Sequence, residues 1–70
     1  MTTEMQIVLN GEARKFPAGT TLHGLVQALN LEPERVAIEL NRVIARRDSW
    51  TATVVDGGAE IEIVMFVGGG

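Results

Sequence analysis

The side chains that could carry out chemistry are few in this sequence of 70 residues. It has no cysteine, which excludes disulfides, thiolate zinc sites and cysteine nucleophiles. A serine triad would have to use His23 and Ser49, the only residues of their types, and neither lies in a recognisable motif. The sequence therefore predicts no catalytic residue and no metal site, in a chain that is not itself an enzyme.

A run of three glycines, Gly68, Gly69 and Gly70, follows the last apolar segment directly. Glycine has no Cβ, so such a run can pass extended through a channel too narrow for other residues. We expect it to present the α-carboxylate of Gly70, which is ionised near neutrality because the ordinary pKa of that group is about 3.5. Alternatively, the glycines are a cloning linker or an end without a role.

A carboxylate at the end of a narrow, extended glycine segment, here called the stalk (Gly68 to Gly70), is suited to delivery into the active site of another protein. Its attack on the α-phosphate of ATP would give an acyl-adenylate, from which sulfur or nitrogen could displace the nucleotide. We therefore expect this chain to be a substrate, with Gly70 as the attachment point. ATP would be used by the activating partner, and the chain itself would bind no cofactor.

Composition argues against two other classes of partner. The net charge is −3, the wrong sign for a protein that binds phosphate backbones, and no aromatic residues interleave with Arg35, Arg42, Arg46 and Arg47. These arginines are interpreted as a solvated face, with a nucleic-acid patch as the weaker alternative. No apolar run approaches the roughly 20 residues of a membrane span, and no leader sequence is recognised. We expect a cytoplasmic protein that binds neither nucleic acid nor membranes.

Hydrophobic periodicity predicts the elements that position the tail. Residues 5–16 form a β-hairpin around Asn10-Gly11, a pair that tolerates the positive φ of a tight turn. A helix capped by Thr20 or Thr21 follows, with one apolar stripe formed by Leu22, Leu25, Val26 and Leu29. Further strands are predicted at residues 36–40, 43–45 and 60–67, and Trp50 is expected to lie over the edge of the core.

These elements predict an α+β roll, in which a mixed sheet of four or five strands holds one main helix. Residues 1–67 would form this single domain and residues 68–70 a flexible tail. In the last strand, Met65 should face the helix, whereas Val64 and Phe66 should face outward beside the tail. Because apolar outward residues often mark partner surfaces, Val64 and Phe66 are predicted to dock a partner. The alternative is that the loop around Trp50 covers them.

The sequence resembles the ThiS family, the sulfur carriers of thiamine (thiazole) biosynthesis. The resemblance rests on the ending 66–70, the Asn10-Gly11 hairpin, the helix entry 17–21, and Asn41 followed by Ile44, Arg47 and Trp50. Ala45 and Arg46 stand where such sequences often have Val-Pro. The resemblance implies a ubiquitin-like β-grasp fold and covers nearly the whole chain.

The resemblance also implies a reaction cycle. A ThiF-type adenylyltransferase, E1-like and ATP-using, would adenylate Gly70. Sulfur from a cysteine desulfurase route would convert the adenylate to a thiocarboxylate, and a ThiG-type thiazole synthase would take that sulfur. The alternatives are a MoaD-like small subunit of molybdopterin synthase, a ubiquitin-like protein modifier, and a β-grasp binding module whose glycines are incidental.

Overall fold

The computed structural model describes residues 3–66. The predicted tail, Gly68 to Gly70, therefore lies outside the described residues, as does the predicted end of the last strand at Val67. The strands, the α-helix and two short 3-10 turns within the described range are β1 Glu4–Leu9, β2 Glu12–Pro17, α1 Leu22–Ala28, a turn at Pro33–Arg35, β3 Val36–Leu40, β4 Val43–Ala45, a turn at Arg47–Ser49, and β5 Glu60–Met65.

The opening hairpin forms as its sequence predicts. β1 and β2 are antiparallel, with Leu9 opposite Glu12, so that only Asn10 and Gly11 make the turn. Both have positive φ, 49° and 84°, as a two-residue type I′ turn requires. The β3–β4 connection repeats this solution with Asn41 and Arg42, at φ 52° and 70°.

The last strand occupies the centre of the sheet. The strand order is β2-β1-β5-β3-β4, with β5 parallel to β1 and antiparallel to β3. This arrangement confirms the predicted mixed sheet holding one helix, and the number of strands is five. The strand that leads to the glycines is therefore flanked by a strand on each side.

The helix covers one face of this sheet. Thr21 is its N-cap, and the Thr21 hydroxyl accepts a hydrogen bond from the Gly24 N–H at 3.0 Å. Leu22, Leu25 and Val26 are buried, as the stripe predicts, while Leu29 is half-buried at the C-cap. With seven residues, α1 is far shorter than a membrane crossing requires, and no helix within residues 3–66 is long and apolar enough for one.

Two side chains differ from their predicted positions. Trp50 lies inside the core at 1% exposure, because its Nε1–H donates to the Ala45 carbonyl at 3.0 Å and leaves no polar atom that needs water. Met65 has the inward parity of Ile61 and Ile63 but is exposed. In contrast to those two residues it is not part of the buried core that packs on the helix, so parity alone did not predict its burial.

Two asparagine side chains hold β5 where its neighbours turn away. Asn10 Oδ1 accepts from the Ile63 N–H at 2.8 Å, and Asn10 Nδ2 donates to the Ile63 carbonyl at 3.4 Å. On the opposite side, Asn41 Oδ1 accepts from the Glu60 N–H at 2.9 Å. Each carboxamide thus acts as a peptide group that continues the ladder beyond the end of a flanking strand.

We expect Asn10→Gly to lower the free energy of unfolding by about 1–2 kcal/mol, because it leaves the part-buried Ile63 N–H without its partner while keeping the positive φ accessible. Asn30→Gly is the matched control: Asn30 also has positive φ, 58°, but its side chain makes no hydrogen bond to residues 3–66. Urea unfolding of both variants measures the difference. Equal losses of stability would contradict the role assigned to the Asn10 carboxamide.

Candidate functional site

The end of β5 is apolar and exposed on both faces of the sheet. Val64, Met65 and Phe66 are 58%, 59% and 56% exposed, although consecutive side chains in a strand point to opposite faces. The helix and the sheet therefore bury neither face at this point. The predicted docking residues Val64 and Phe66 are accessible, and the loop around Trp50 does not cover them.

Backbone and arginine contacts fix the point from which the tail departs. The Phe66 N–H donates to the Arg35 carbonyl at 2.8 Å, which extends the β3–β5 ladder by one pair. The neighbouring Val36 carbonyl accepts from Arg47 Nη2 at 3.0 Å. The Arg47 guanidinium also lies 5.4 Å from the centroid of the Trp50 ring, within the range of a cation–π interaction. The buried tryptophan thus supports the start of β3, which in turn holds Phe66.

The outer face of the sheet changes from acidic to apolar along β5. Glu62 lies directly opposite Glu39, a like-charge pair that destabilises a sheet, and Glu60 is compensated by Arg42 at 3.5 Å. These four side chains help to line a shallow cavity of about 360 Å³. The carboxylates lie at the start of the strand, and the apolar side chains lie at its end.

The other residues considered for chemistry do not assemble into a site. No hydrogen bond joins His23 to Ser49 in the part of the chain that the structure describes, and the Ser49 hydroxyl donates instead to Asp48 at 3.5 Å. No group of three or more potential metal ligands occurs among residues 3–66.

The arginines of the predicted solvated face interact within the chain. Three of them pair with carboxylates: Arg35 with Glu32 at 2.7 Å, Arg42 with Glu60 at 3.5 Å and Arg46 with Asp48 at 3.3 Å. Arg47 binds the Val36 carbonyl.

Sequence reasoning missed three contributors to this site. Asn10 was noted only as part of a motif, Arg47 as part of a motif and of a solvated face, and Met65 was assigned to the core. The role of the asparagines in the two turns could have been recognised from the sequence. Glycine would satisfy the positive φ equally well, so asparagine at these positions indicates a use for its carboxamide. For Arg47 there is no comparable sequence signal, since its acceptor is a backbone carbonyl 11 residues away.

Comparison with known proteins identifies what this chain is similar to. The sequence model of the ThiS family matches residues 7–70. The sulfur carrier protein ThiS of Escherichia coli is 32% identical over 66 residues, which cover 94% of this chain and 100% of that protein. A crystal structure of the thiamine biosynthesis protein ThiS from Geobacter metallireducens superposes with a TM-score of 0.81 at 30% identity, over 94% of this chain and 100% of that one.

A longer relative has a different domain context. A thiazole synthase of Magnetococcus marinus is 46% identical over 66 residues, or 94% of this chain. The chain spans only 20% of the length of that protein.

Adjacent positions in β5 should respond differently to truncation. We expect Ile63→Ala to lower the free energy of unfolding by about 2–4 kcal/mol, because it leaves a cavity in the core. Val64→Ala should cost less than about 1 kcal/mol, because its side chain is mostly in solvent. Thermal unfolding of the two variants tests this contrast. A comparable loss at Val64 would mean that its side chain contributes to the folded core.

Proposed function

The chain belongs to the ThiS family of sulfur carriers of thiamine biosynthesis, and we propose that its Gly70 α-carboxylate carries the sulfur as a thiocarboxylate. The catalytic groups for this cycle would come from partner enzymes, and the chain would be their co-substrate. We propose that the cycle runs in the cytoplasm, where ATP is available to the activating partner.

The proposed cycle has four steps. An oxygen of the Gly70 carboxylate attacks the α-phosphate of ATP on a ThiF-type adenylyltransferase, and pyrophosphate leaves. The outer sulfur of a persulfide from a cysteine desulfurase route then attacks the acyl carbon, and AMP departs with one of the original carboxylate oxygens. A thiol cleaves the S–S bond of this acyl disulfide, which leaves the thiocarboxylate and a new disulfide. The resulting thiocarboxylate donates its sulfur to a ThiG-type thiazole synthase. The chemistry requires a free α-carboxylate at Gly70, with Gly68 and Gly69 as the narrow stalk.

The observation that carries this proposal is the family match, which runs through residue 70 and so includes all three glycines. The fold is consistent with it, because β5 is the central strand and ends at Met65, five positions before Gly70. A central strand that β1 holds at its start and β3 holds along its length is a firm base for a stalk that must enter another active site.

We further propose that Val64 and Phe66 dock the partner that receives the tail. Both are more than half exposed and both are apolar, so their burial in a complex would release water from apolar surface. The thiazole synthase of Magnetococcus marinus, in which a similar domain occupies a fifth of the length, supports a ThiG-type partner.

Two alternatives remain as different outcomes of the same chemistry. A MoaD-like subunit would deliver its sulfur to molybdopterin synthase, and a ubiquitin-like modifier would transfer its acyl group to lysine amines. The match to the ThiS family favours the thiamine carrier over both. Lysine conjugates of the chain in cells would support the modifier instead.

Intact mass spectrometry tests the chemistry at Gly70. After incubation with ATP, the cognate ThiF-type enzyme, a cysteine desulfurase with its substrate, and a thiol reductant, we expect the chain to exchange one oxygen for one sulfur. A chain ending at Gly69 is the control for the length of the stalk, and it should react much more slowly. An unchanged mass, under conditions in which Escherichia coli ThiS reacts with its own enzymes, would rule out the thiocarboxylate.

Phe66→Ala tests docking separately from folding. We expect it to raise the KM for the carrier in adenylation by about tenfold, the equivalent of about 1.4 kcal/mol, and to leave the thermal midpoint nearly unchanged. Val54→Ala is the matched control, because Val54 is similarly exposed at 53% but lies outside the proposed docking residues. If Phe66→Ala unfolded the domain, Phe66 would be a structural residue. If it left KM unchanged, the docking role would be wrong.

A further inference from the structure

The backbone of β5 has one side that its neighbours leave open. In this strand, successive residues direct their N–H and C=O groups alternately toward β3 and toward β1. Phe66 bonds to Arg35, on the β3 side. The odd-numbered residues point the other way: the Asn10 N–H donates to the Ile61 carbonyl at 2.8 Å, and the Ile63 N–H donates to Asn10 Oδ1 at 2.8 Å.

Met65 is the next residue that points toward β1. By then β1 has ended at Leu9, and the chain has turned back through Asn10 and Gly11. The Asn10 carboxamide reaches as far as Ile63. No residue between 3 and 66 hydrogen-bonds to the Met65 N–H or C=O on this side.

The side chains around this open backbone are consistent with a covered strand. Val64 and Phe66 on one face and Met65 on the other are all apolar and more than half exposed. A strand meant to face water on one side would have polar residues at alternate positions, as β5 does at Glu60 and Glu62. This end therefore has the composition of a strand buried on both faces and the hydrogen-bonding groups of a strand with a missing neighbour.

We propose that an extended segment of the thiazole synthase adds to the sheet at Met65, in line with β1, and takes the place that the β1–β2 turn vacates. This inference rests on the proposed function, because it concerns how the same partner recognises the base of the tail. The synthase is the chosen occupant because a domain similar to this chain shares one polypeptide with such an enzyme in Magnetococcus marinus. Pairing along the backbone suits a tail of glycines, which offers a partner no side chains to recognise.

Amide hydrogen exchange measured by NMR on the 70-residue chain tests the inference directly. In the free chain we expect the Met65 amide to exchange quickly and the Phe66 amide slowly. On addition of the cognate ThiG-type synthase, without its small-molecule substrates, Met65 exchange should slow by about tenfold or more, as expected for a newly formed backbone hydrogen bond. Ile44 is the matched control, because it is an exposed apolar residue on β4, a strand at the edge of the sheet.

The possible outcomes separate this inference from the proposed function. Protection of Met65 but not Ile44 supports strand addition at β5. Binding of the synthase without protection of Met65 overturns it, while sulfur transfer to Gly70 can still be established by mass. Protection of Ile44 alone would place the partner at β4 and overturn it as well. Concentration-dependent protection of Met65 without the synthase would identify a second copy of this chain as the occupant, contrary to the proposal.

Comparing proline with alanine at position 65 provides a second measurement, because both variants lose the methionine side chain. Met65→Pro and Met65→Ala both remove the thioether side chain, but only proline removes the N–H group. Since that N–H bonds to nothing in residues 3–66, the two variants should have similar thermal midpoints. We expect Met65→Pro to bind the synthase about three- to tenfold more weakly than Met65→Ala, which corresponds to the loss of one backbone hydrogen bond. Equal affinities of two folded variants would overturn the inference.

Discussion

The fold depends on placing the last strand in the centre of the sheet. β5 can complete the sheet only when β1 and β3 lie on either side of it, since it pairs in parallel with one and antiparallel with the other. Its inward side chains, Ile61 and Ile63, are part of the core that the helix covers. Removing β5 would leave two hairpin-like pieces with no contact along the middle of the sheet. The segment that leads to the glycines is therefore also the segment that unites the domain.

A single helix leaves the outer face of the sheet uncovered, and the residues on that face differ along its length. At the start of β5, Glu62 opposes Glu39 at a cost in sheet stability, and this end remains polar. At the other end, the carboxylates give way to Val64 and Phe66. Charge at the start of β5 discourages nonspecific association of the open face, whereas the exposed apolar residues of this strand lie at its other end.

The sequence predicted most of the elements because local signals determined them. Asn10-Gly11 determined the hairpin, the spacing from Leu22 to Val26 determined the helix, and alternation determined each strand. Long-range contacts were harder to foresee. The burial of Trp50 depends on a carbonyl at Ala45 that only the folded turn presents, and the exposure of Met65 depends on where the packed core ends. Alternation along a strand predicts the face of the sheet to which a side chain points. It does not predict how far the packed core on that face extends. Of the candidate site, the glycines and the apolar outward residues could be predicted from the sequence. The unpaired backbone groups of Met65 could be identified only from the order and length of the strands.

A glycine tail makes delivery possible and recognition difficult. Three residues without side chains can enter a narrow channel, but they present only backbone groups that any glycine-rich segment would also present. Selectivity must therefore come from residues before the tail, and the distance over which they can act is short. The features that we propose for recognition lie immediately before it: apolar side chains on both faces at residues 64–66 and a backbone direction that no strand within residues 3–66 occupies. Hydrogen bonds hold Phe66 to Arg35 and Ile63 to Asn10, so a partner that binds here meets a strand that is already oriented. Less conformational entropy is then lost when the stalk is aligned with an active site.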